Sequence, residues 1–176
     1  MCGIAGIVDG EHRMKYRNQQ AVEDMLDTMK RRGPDQQNIY TDEAVTLLHA
    51  RLSVMDLQHG KQPMQLKSDP RYVMVYNGEL YNTEELRREL QKKGYAFQET
   101  SDTEVLLQAF IEWKETVVEM LNGIFAFAVW DKKAHRLFMA RDRMGVKPLF
   151  YTLQEGAMLF ASEMKALLAH PQIPAI

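Results

Sequence analysis

The chain has 176 residues with 45% hydrophobic and 26% charged content, which suits one soluble globular domain whose core needs no disulfide or metal staple. Its 22 basic and 24 acidic residues leave a formal net charge of -2 with no long basic tract, so nucleic acid is not an implied partner. The single cysteine fits a reducing, cytoplasmic compartment, and no apolar run is long enough to span a membrane or serve as a signal peptide.

Residues 4–8 are a short apolar run that reads as a buried strand. Val22, Met25, Leu26 and Met29 recur at helical spacing and predict an amphipathic helix over 18–31, stopped by Arg32-Gly33-Pro34-Asp35. Residues 37–40 and 45–50 predict a strand pair, and 59–64 a loop. Residues 72–76 are β-rich, and Asn77-Gly78 after them, with Glu79-Leu80-Tyr81 resuming, carries the sequence signal of a hairpin turn. Asn82 with Glu85, and Ser101 with Glu104, have capping-box spacing and predict helices over 83–93 and 102–113. The 12 methionines are spread along the chain and read as core filler.

Residues 123–130 are apolar on both sides of a strand. Ile124, Ala126, Ala128 and Trp130 fall on one side, and Phe125, Phe127 and Val129 on the other. Strands follow over 137–140, 149–152 and 158–161, then a short helix carrying Met164, Leu167 and Leu168. Two stacked sheets with helices outside would bury both faces of strand 123–130. A single sheet covered by helices would do the same, and the pattern does not choose between them.

Cys2 stands directly after the initiator methionine. A side chain this small normally permits removal of Met1. That would leave a thiol and a free α-amine on one residue. An amine with an ordinary pKa of about 7.7–8.0 can act as a general base near neutral pH. A nucleophile with its own base beside it is a minimal catalytic unit. The competing reading is a small buried hydrophobe.

Met1-Cys2-Gly3-Ile4-Ala5-Gly6-Ile7 resembles the start of class II glutamine amidotransferase domains, which are N-terminal nucleophile hydrolases. His49-Ala50-Arg51-Leu52-Ser53-Val54-Met55-Asp56, Gly60-Lys61-Gln62-Pro63-Met64 and Tyr76-Asn77-Gly78-Glu79-Leu80-Tyr81-Asn82 continue the resemblance. Ser101-Asp102-Thr103-Glu104, Ala140-Arg141-Asp142-Arg143-Met144-Gly145-Val146-Lys147-Pro148 and Phe160-Ala161-Ser162-Glu163 complete it, in family order. The Arg-Leu-Ser and Tyr-Asn-Gly-Glu blocks look most like the branch found in glutamine-hydrolysing asparagine synthetases. The fold this implies is α+β, a four-layer αββα sandwich.

The resemblance implies a role for each of several residues. Cys2 would be the nucleophile that attacks the side-chain amide of L-glutamine and forms a thioester. The Asn77 side chain and Gly78 N–H would form the oxyanion hole, a role compatible with a rigid turn. Arg51, otherwise a solvated strand-end cation, would hold the α-carboxylate in two-point geometry. Asp102, otherwise a favourable anion in a first helical turn, would hold the α-ammonium, with Glu79 close by. Val54, Gln62-Pro63-Met64 and Gly33-Pro34 would shape the pocket by backbone contacts. His49 and His59, ten residues apart without further ligands, do not make a metal site, and neither metal nor cofactor is expected in this domain. Arg141, Asp142 and Arg143 read either as a surface ion-pair strip or as a face for another domain.

Two positions depart from the family pattern: Arg31 stands where a histidine is usual before Arg-Gly-Pro-Asp, and Asn38 where a glycine is usual after it. The amidotransferase domain is expected over 1–170, with 171–176 starting a linker to a C-terminal synthetase domain that uses ATP and Mg and receives ammonia internally. A second copy of the chain is a further candidate partner. The alternatives are the same domain serving another acceptor, or a non-catalytic binding domain of this fold.

Overall fold

β1 (Gly3–Asp9) is buried along almost its whole length, because its alternate side chains enter two different cores. It pairs antiparallel with β3 (Val45–Arg51) on one edge and β8 (Ala157–Ala161) on the other. β2 (Gln36–Thr41) and β7 (Phe150–Gln154) complete a five-stranded sheet in the order β2-β3-β1-β8-β7. β4 (Tyr72–Leu80), β5 (Gly123–Asp131) and β6 (Arg136–Arg141) form a second, three-stranded antiparallel sheet. These features come from a computed structural model that describes residues 1–10, 15–52 and 60–174.

Three separate cores define four layers. α1 (Gln19–Thr28) and α5 (Met164–Leu168) cover the outer face of the larger sheet through Met25, Leu26 and Leu167 against Ile7, Leu48 and Leu159. α2 (Thr83–Lys92) and α3 (Asp102–Trp113) cover the smaller sheet through Leu90, Leu106 and Phe110 against Met74, Phe127 and Val129. Between the sheets lie Ile4, Leu47, Val73, Val75, Ala128 and Phe160. α4 (Val117–Met120) is a short connector before β5. The expected α+β, αββα sandwich is the observed architecture, and β5 shows why. Ala126, Ala128 and Trp130 enter the inter-sheet core, whereas Phe125, Phe127 and Val129 meet the helices. A single covered sheet is thereby excluded. None of the described helices is long and apolar enough to cross a membrane.

Several sequence expectations are corrected. Asn77-Gly78 is not a turn: β4 runs unbroken through it, with Asn77 opposite Ala126 and Gly78 opposite Phe125. The glycine answers a close strand approach instead. A Cβ there would stand 2.5 Å from the Ile124 carbonyl oxygen. α1 ends at Thr28, short of the predicted 31, because Arg32 N–H and Gly33 N–H both turn back to the Met29 carbonyl. Ser101 does cap α3, accepting from Glu104 N–H at 3.3 Å. Asn82 makes no side-chain cap; it bonds to Met120 and Asn122 and ties the start of α2 to the chain entering β5. Met25, Met29 and Met74 fill cores, but Met1, Met144 and Met164 are exposed. Beyond α5, His170 is buried, stacks on Tyr16 and contacts its carbonyl at 2.8 Å, and Ile173 packs against the α1–α5 core.

Trp130 joins the sheets at the end remote from Cys2. Its Nε1–H donates to Asp42 Oδ2 at 2.7 Å, while Asp42 Oδ1 accepts from Ala44 and Val45 N–H, each at 2.9 Å. Burial and then the neighbouring Asp42 push the Tyr40 phenol up to about 12. Trp130→Phe removes one donor from this network and leaves a gap between the sheets. We expect it to cost about 1–3 kcal/mol in urea unfolding with an unchanged m-value.

His49, also between the sheets, is fully buried. Burial lowers its pKa to about 4, Arg51 adding to the effect and the nearby Tyr76 carbonyl opposing it without a well-formed hydrogen bond to either ring nitrogen. The unfolded chain therefore takes up a proton that the folded chain refuses below its ordinary pKa of about 6.5. Folding stability falls as pH drops from that value toward 4. Between pH 7 and pH 5, His49→Gln should lose about 2 kcal/mol less stability than the parent chain, measured by urea unfolding at each pH.

Candidate active site

Cys2 lies one residue ahead of β1, and Arg51 ends β3. Because Gly3 pairs with Ala50, the next residues outward on the two strands, Cys2 and Arg51, are neighbours. Both line a cavity of about 500 Å³, with His49, Tyr76, Gly78 and Asp102 among its other walls. The cavity opens where the two sheets end and α3 begins.

Three contacts fix the N-terminal segment. Ile4 N–H donates to Ser162 Oγ at 3.0 Å, and Ser162 N–H returns to the Ile4 carbonyl at 2.8 Å. Arg32 Nε donates to the Cys2 carbonyl at 3.1 Å. Its Nη1 meets Glu163 Oε1 at 3.2 Å, and Glu163 also pairs with Lys165. Burial opposes ionisation of Glu163, but Lys165 and Arg32 hold its carboxyl below the usual range. Cys2 Sγ points toward the Leu52 carbonyl at 3.9 Å.

The Arg51 guanidinium is buried and reaches Gln36 Oε1 at 3.4 Å. Gly60, at φ +71°, closes over it, since a Cβ there would lie 3.9 Å from Arg51 Nη2 and 3.6 Å from Ser101. Glu99 holds that closure: Oε2 accepts from Gly60 N–H at 2.7 Å and from Ser101 Oγ–H at 3.1 Å. Gln62 ties the same segment to β4 by accepting from Tyr76 N–H at 2.6 Å. Its side chain, not its backbone, makes this contact, contrary to expectation.

Asp102 lines the same cavity from the first turn of α3. Its Oδ2 accepts from Tyr76 O–H at 2.7 Å and Leu80 N–H at 3.3 Å. Burial raises the Asp102 pKa, these two bonds working against it. Burial, with the Asp102 charge adding to it, pushes Tyr76 well above the ordinary phenol value.

Asn77 is buried on the same side of β4 as Val73 and Val75, and its Nδ2 has no hydrogen-bond partner among the described residues. A buried donor without a partner is costly and asks for an acceptor. Glu79 is exposed and does not line the cavity, although its charge acts on both Tyr76 and Asp102. Val54 and His59 lie outside the described residues. Gly33 packs behind the site, where a Cβ would stand 2.2 Å from the Ala50 carbonyl oxygen. Neither Arg31 nor Asn38 lines the cavity. Among the described residues, no three of His, Cys, Asp and Glu are grouped to hold a metal ion.

Sequence reasoning gave no role to Arg32, Glu163, Glu99 or Lys147, and gave Gln62 a backbone role where its side chain makes the contact. Each sits inside or beside a motif already singled out. Arg32, Glu99 and Gln62 act through the backbone of another residue, and Glu163 through the Arg32 side chain, which no spacing rule reveals. Arg141 and Asp142 use their side chains within their own loop rather than as a surface ion-pair strip. Arg141 donates to the Gly145 and Lys147 carbonyls. Asp142 accepts backbone N–H groups from Phe125 at 3.2 Å and from Val146 and Lys147 at 2.9 Å. Burial opposes ionisation of Asp142, but those three donors hold its carboxyl below the usual range.

Comparison with known proteins agrees with this geometry. Residues 1–175 match the family model described as a glutamine amidotransferase domain. The chain is 53% identical over 177 residues to asparagine synthetase [glutamine-hydrolyzing] 3 of Bacillus subtilis (strain 168), covering 99% of this chain and 28% of that protein. It is 37% identical to asparagine synthetase B [glutamine-hydrolyzing] of Escherichia coli (strain K12), covering 96% of this chain and 30% of that protein. It thus spans less than a third of the length of these relatives. The glutamine phosphoribosylpyrophosphate amidotransferase structure from B. subtilis superposes with a TM-score of 0.71 over 96% of this chain and 43% of that one, at 21% identity, which speaks to the fold. The cysteine just ahead of a doubly paired central strand, the αββα layering and a family match over nearly every residue lead to one assignment: the chain belongs to the glutamine amidotransferase domain family.

Proposed function

We propose that this domain carries out the glutaminase half-reaction of a glutamine-hydrolysing asparagine synthetase. The observation that carries this reading is one cavity lined by Cys2, Arg51 and Asp102, with the unpartnered Asn77 amide beside it. A nucleophile, a cation and an anion around one cavity suit a free amino acid with a reactive side chain. Arg51 takes the α-carboxylate through its guanidinium fork. Asp102, oriented by Tyr76 and Leu80, takes the α-ammonium. A glutamine residue within a peptide has neither charge and is rejected.

Removal of Met1 frees the Cys2 amine. That amine takes the thiol proton, and the thiolate attacks the side-chain amide carbon of glutamine. Negative charge develops on the amide oxygen, where Asn77 Nδ2–H and Gly78 N–H donate to it. The ammonium formed on Cys2 returns its proton to the leaving nitrogen, directly or through a water, and ammonia departs. Water then adds to the thioester and releases glutamate. In the longer protein, the ammonia passes to a synthetase domain beyond this chain, which uses ATP and Mg to activate aspartate.

With Met1 in place, the nitrogen of Cys2 is an amide and cannot serve as a base. General acid–base assistance is typically worth about 10²–10⁴ in rate. The trimmed chain is therefore expected to release glutamate from glutamine at least about 10²-fold faster than a Met1-retaining form, with mass spectrometry defining each N-terminus. Cys2→Ala should abolish both turnover and labelling by a glutamine-mimicking electrophile. Equal rates for trimmed and untrimmed forms contradict the mechanism.

Asp102→Asn and Arg51→Gln test the reading of the two α-charges. Loss of one buried charge partner costs about 2–5 kcal/mol, or roughly 30-fold to several thousand-fold in kcat/KM for glutamine. Asp102→Asn should also narrow the preference for glutamine over N-acetylglutamine. A preference unchanged by Asp102→Asn would remove Asp102 from the α-ammonium site.

A further inference from the structure

The loop after β6 places a buried cation against the N-terminus. Lys147 is 9% exposed, and its Nζ lies 3.4 Å from Met1 Sδ. Among the described residues this ammonium has no carboxylate within ion-pair distance. An ammonium taken out of water without a counter-ion is costly, and a neutral thioether sulfur compensates little of that cost. The loop nevertheless holds it there. Arg141 and Asp142 use their side chains on the loop's own carbonyls and N–H groups, and Gly145 makes the bend at φ +64°. The loop is also fastened to the catalytic strand pair. Asp142 bonds to both the N–H and the carbonyl of Phe125, the residue opposite Gly78 in β4.

We propose that Lys147 is a positioning residue of the glutaminase site, whose fixed positive charge, seated on the side chain of the methionine that precedes Cys2, keeps the trimmed N-terminus unprotonated and makes its thiol easier to ionise, so that the amine is free to take the thiol proton. The proposal rests on the glutaminase reading for its purpose but not for its physics. A cation at this place disfavours a second positive charge on the amine and favours the thiolate, so both effects prepare the same nucleophile. The other charged groups around Cys2 have their own assignments. From β3, Arg51 faces the cavity and His49 stays neutral. From the turn after α1, Arg32 is matched by Glu163. From β4 and α3 come Tyr76 and Asp102, hydrogen-bonded to each other, with Glu79 outside on the surface. Among the buried charges of this set, Lys147 is the one with no carboxylate partner in the described structure.

The test uses the trimmed chain with Lys147→Met, Lys147→Gln and Lys147→Arg, each checked for the parent's unfolding midpoint. Two pH profiles are measured: kcat/KM for glutamine, and the rate of Cys2 alkylation by iodoacetamide, which needs no glutamine. For Lys147→Met and Lys147→Gln, the acidic limb of both profiles should move up by on the order of one pH unit, so that rates near pH 6.5 fall about tenfold while those at high pH converge with the parent. Lys147→Arg should keep the parent limb. A uniform loss at every pH, an unmoved limb, or a limb that Arg fails to restore would overturn the proposal. If one neutral variant does not fold, the other gives the same comparison. Shifted alkylation without any glutamine turnover would keep the Lys147 effect while rejecting the glutaminase reading.

Discussion

The site depends on a chain terminus that does not fray. The first residues of most domains are poorly ordered unless something ties them down. Here β1 is paired on both edges, so the residue just before it inherits the rigidity of a central strand. Ser162 fastens Ile4 by side chain and backbone, and Arg32 grips the Cys2 carbonyl. Under the proposed function Cys2 is the nucleophile of a trimmed chain, and such a residue needs this support more than an internal one does, because the chain would hold it from one side only. Arg32 and Glu163 come from opposite ends of the sequence and converge on the first residues, so the complete fold is a condition for an ordered thiol.

The sandwich also decides where polar chemistry can sit. Both faces of most central strands are apolar, and the inter-sheet core tolerates few hydrogen-bonding groups. Along β3, residues 45, 47, 49 and 51 share one face, and along β4 residues 73, 75 and 77 do. In each series the apolar side chains come first and the polar ones last: His49 and Arg51, and Asn77. The switch marks the place where the sheets part. Trp130 and Asp42 close the opposite end. The cavity is therefore the unfilled end of the inter-sheet layer, and its polar walls continue the register of the core.

This register was legible in part. Period-two alternation in β5, apolar on both sides, pointed to a strand covered twice, and Ser101 with Glu104 marked the start of α3. Asn77-Gly78 misled because a turn signal is local, whereas nine consecutive pairs with β5 are not. The pairing of a long strand outweighs the preference of two residues. Arg51, Asn77, Gly78 and Asp102 stood out through motif blocks. Their supports did not: Glu99 closes Gly60 over Arg51, and Gln62 clasps β4, by contacts to backbone groups 14 to 39 residues away. Such contacts leave no periodicity, and only the assembled fold relates them.

The electrostatics of the cavity argue for a ligand that is both cation and anion. Asp102 is a buried carboxyl whose pKa burial raises, despite donors from Tyr76 and Leu80. Arg51 is a buried guanidinium under the turn at Gly60. An anionic ligand alone would suit Arg51 and repel Asp102; a cationic one would do the reverse. A zwitterion satisfies both, and its separation of charges fixes which end of the molecule reaches Cys2. Under the proposed glutaminase reading, orientation would come from two charged contacts made before any bond changes, and the reacting amide would need no recognition of its own beyond the oxyanion donors. On this reading the charges that bind substrate and the charge that activates the thiol come from different parts of the fold. Arg51 and Asp102 line the cavity, while Lys147 approaches along the methionine that must be removed.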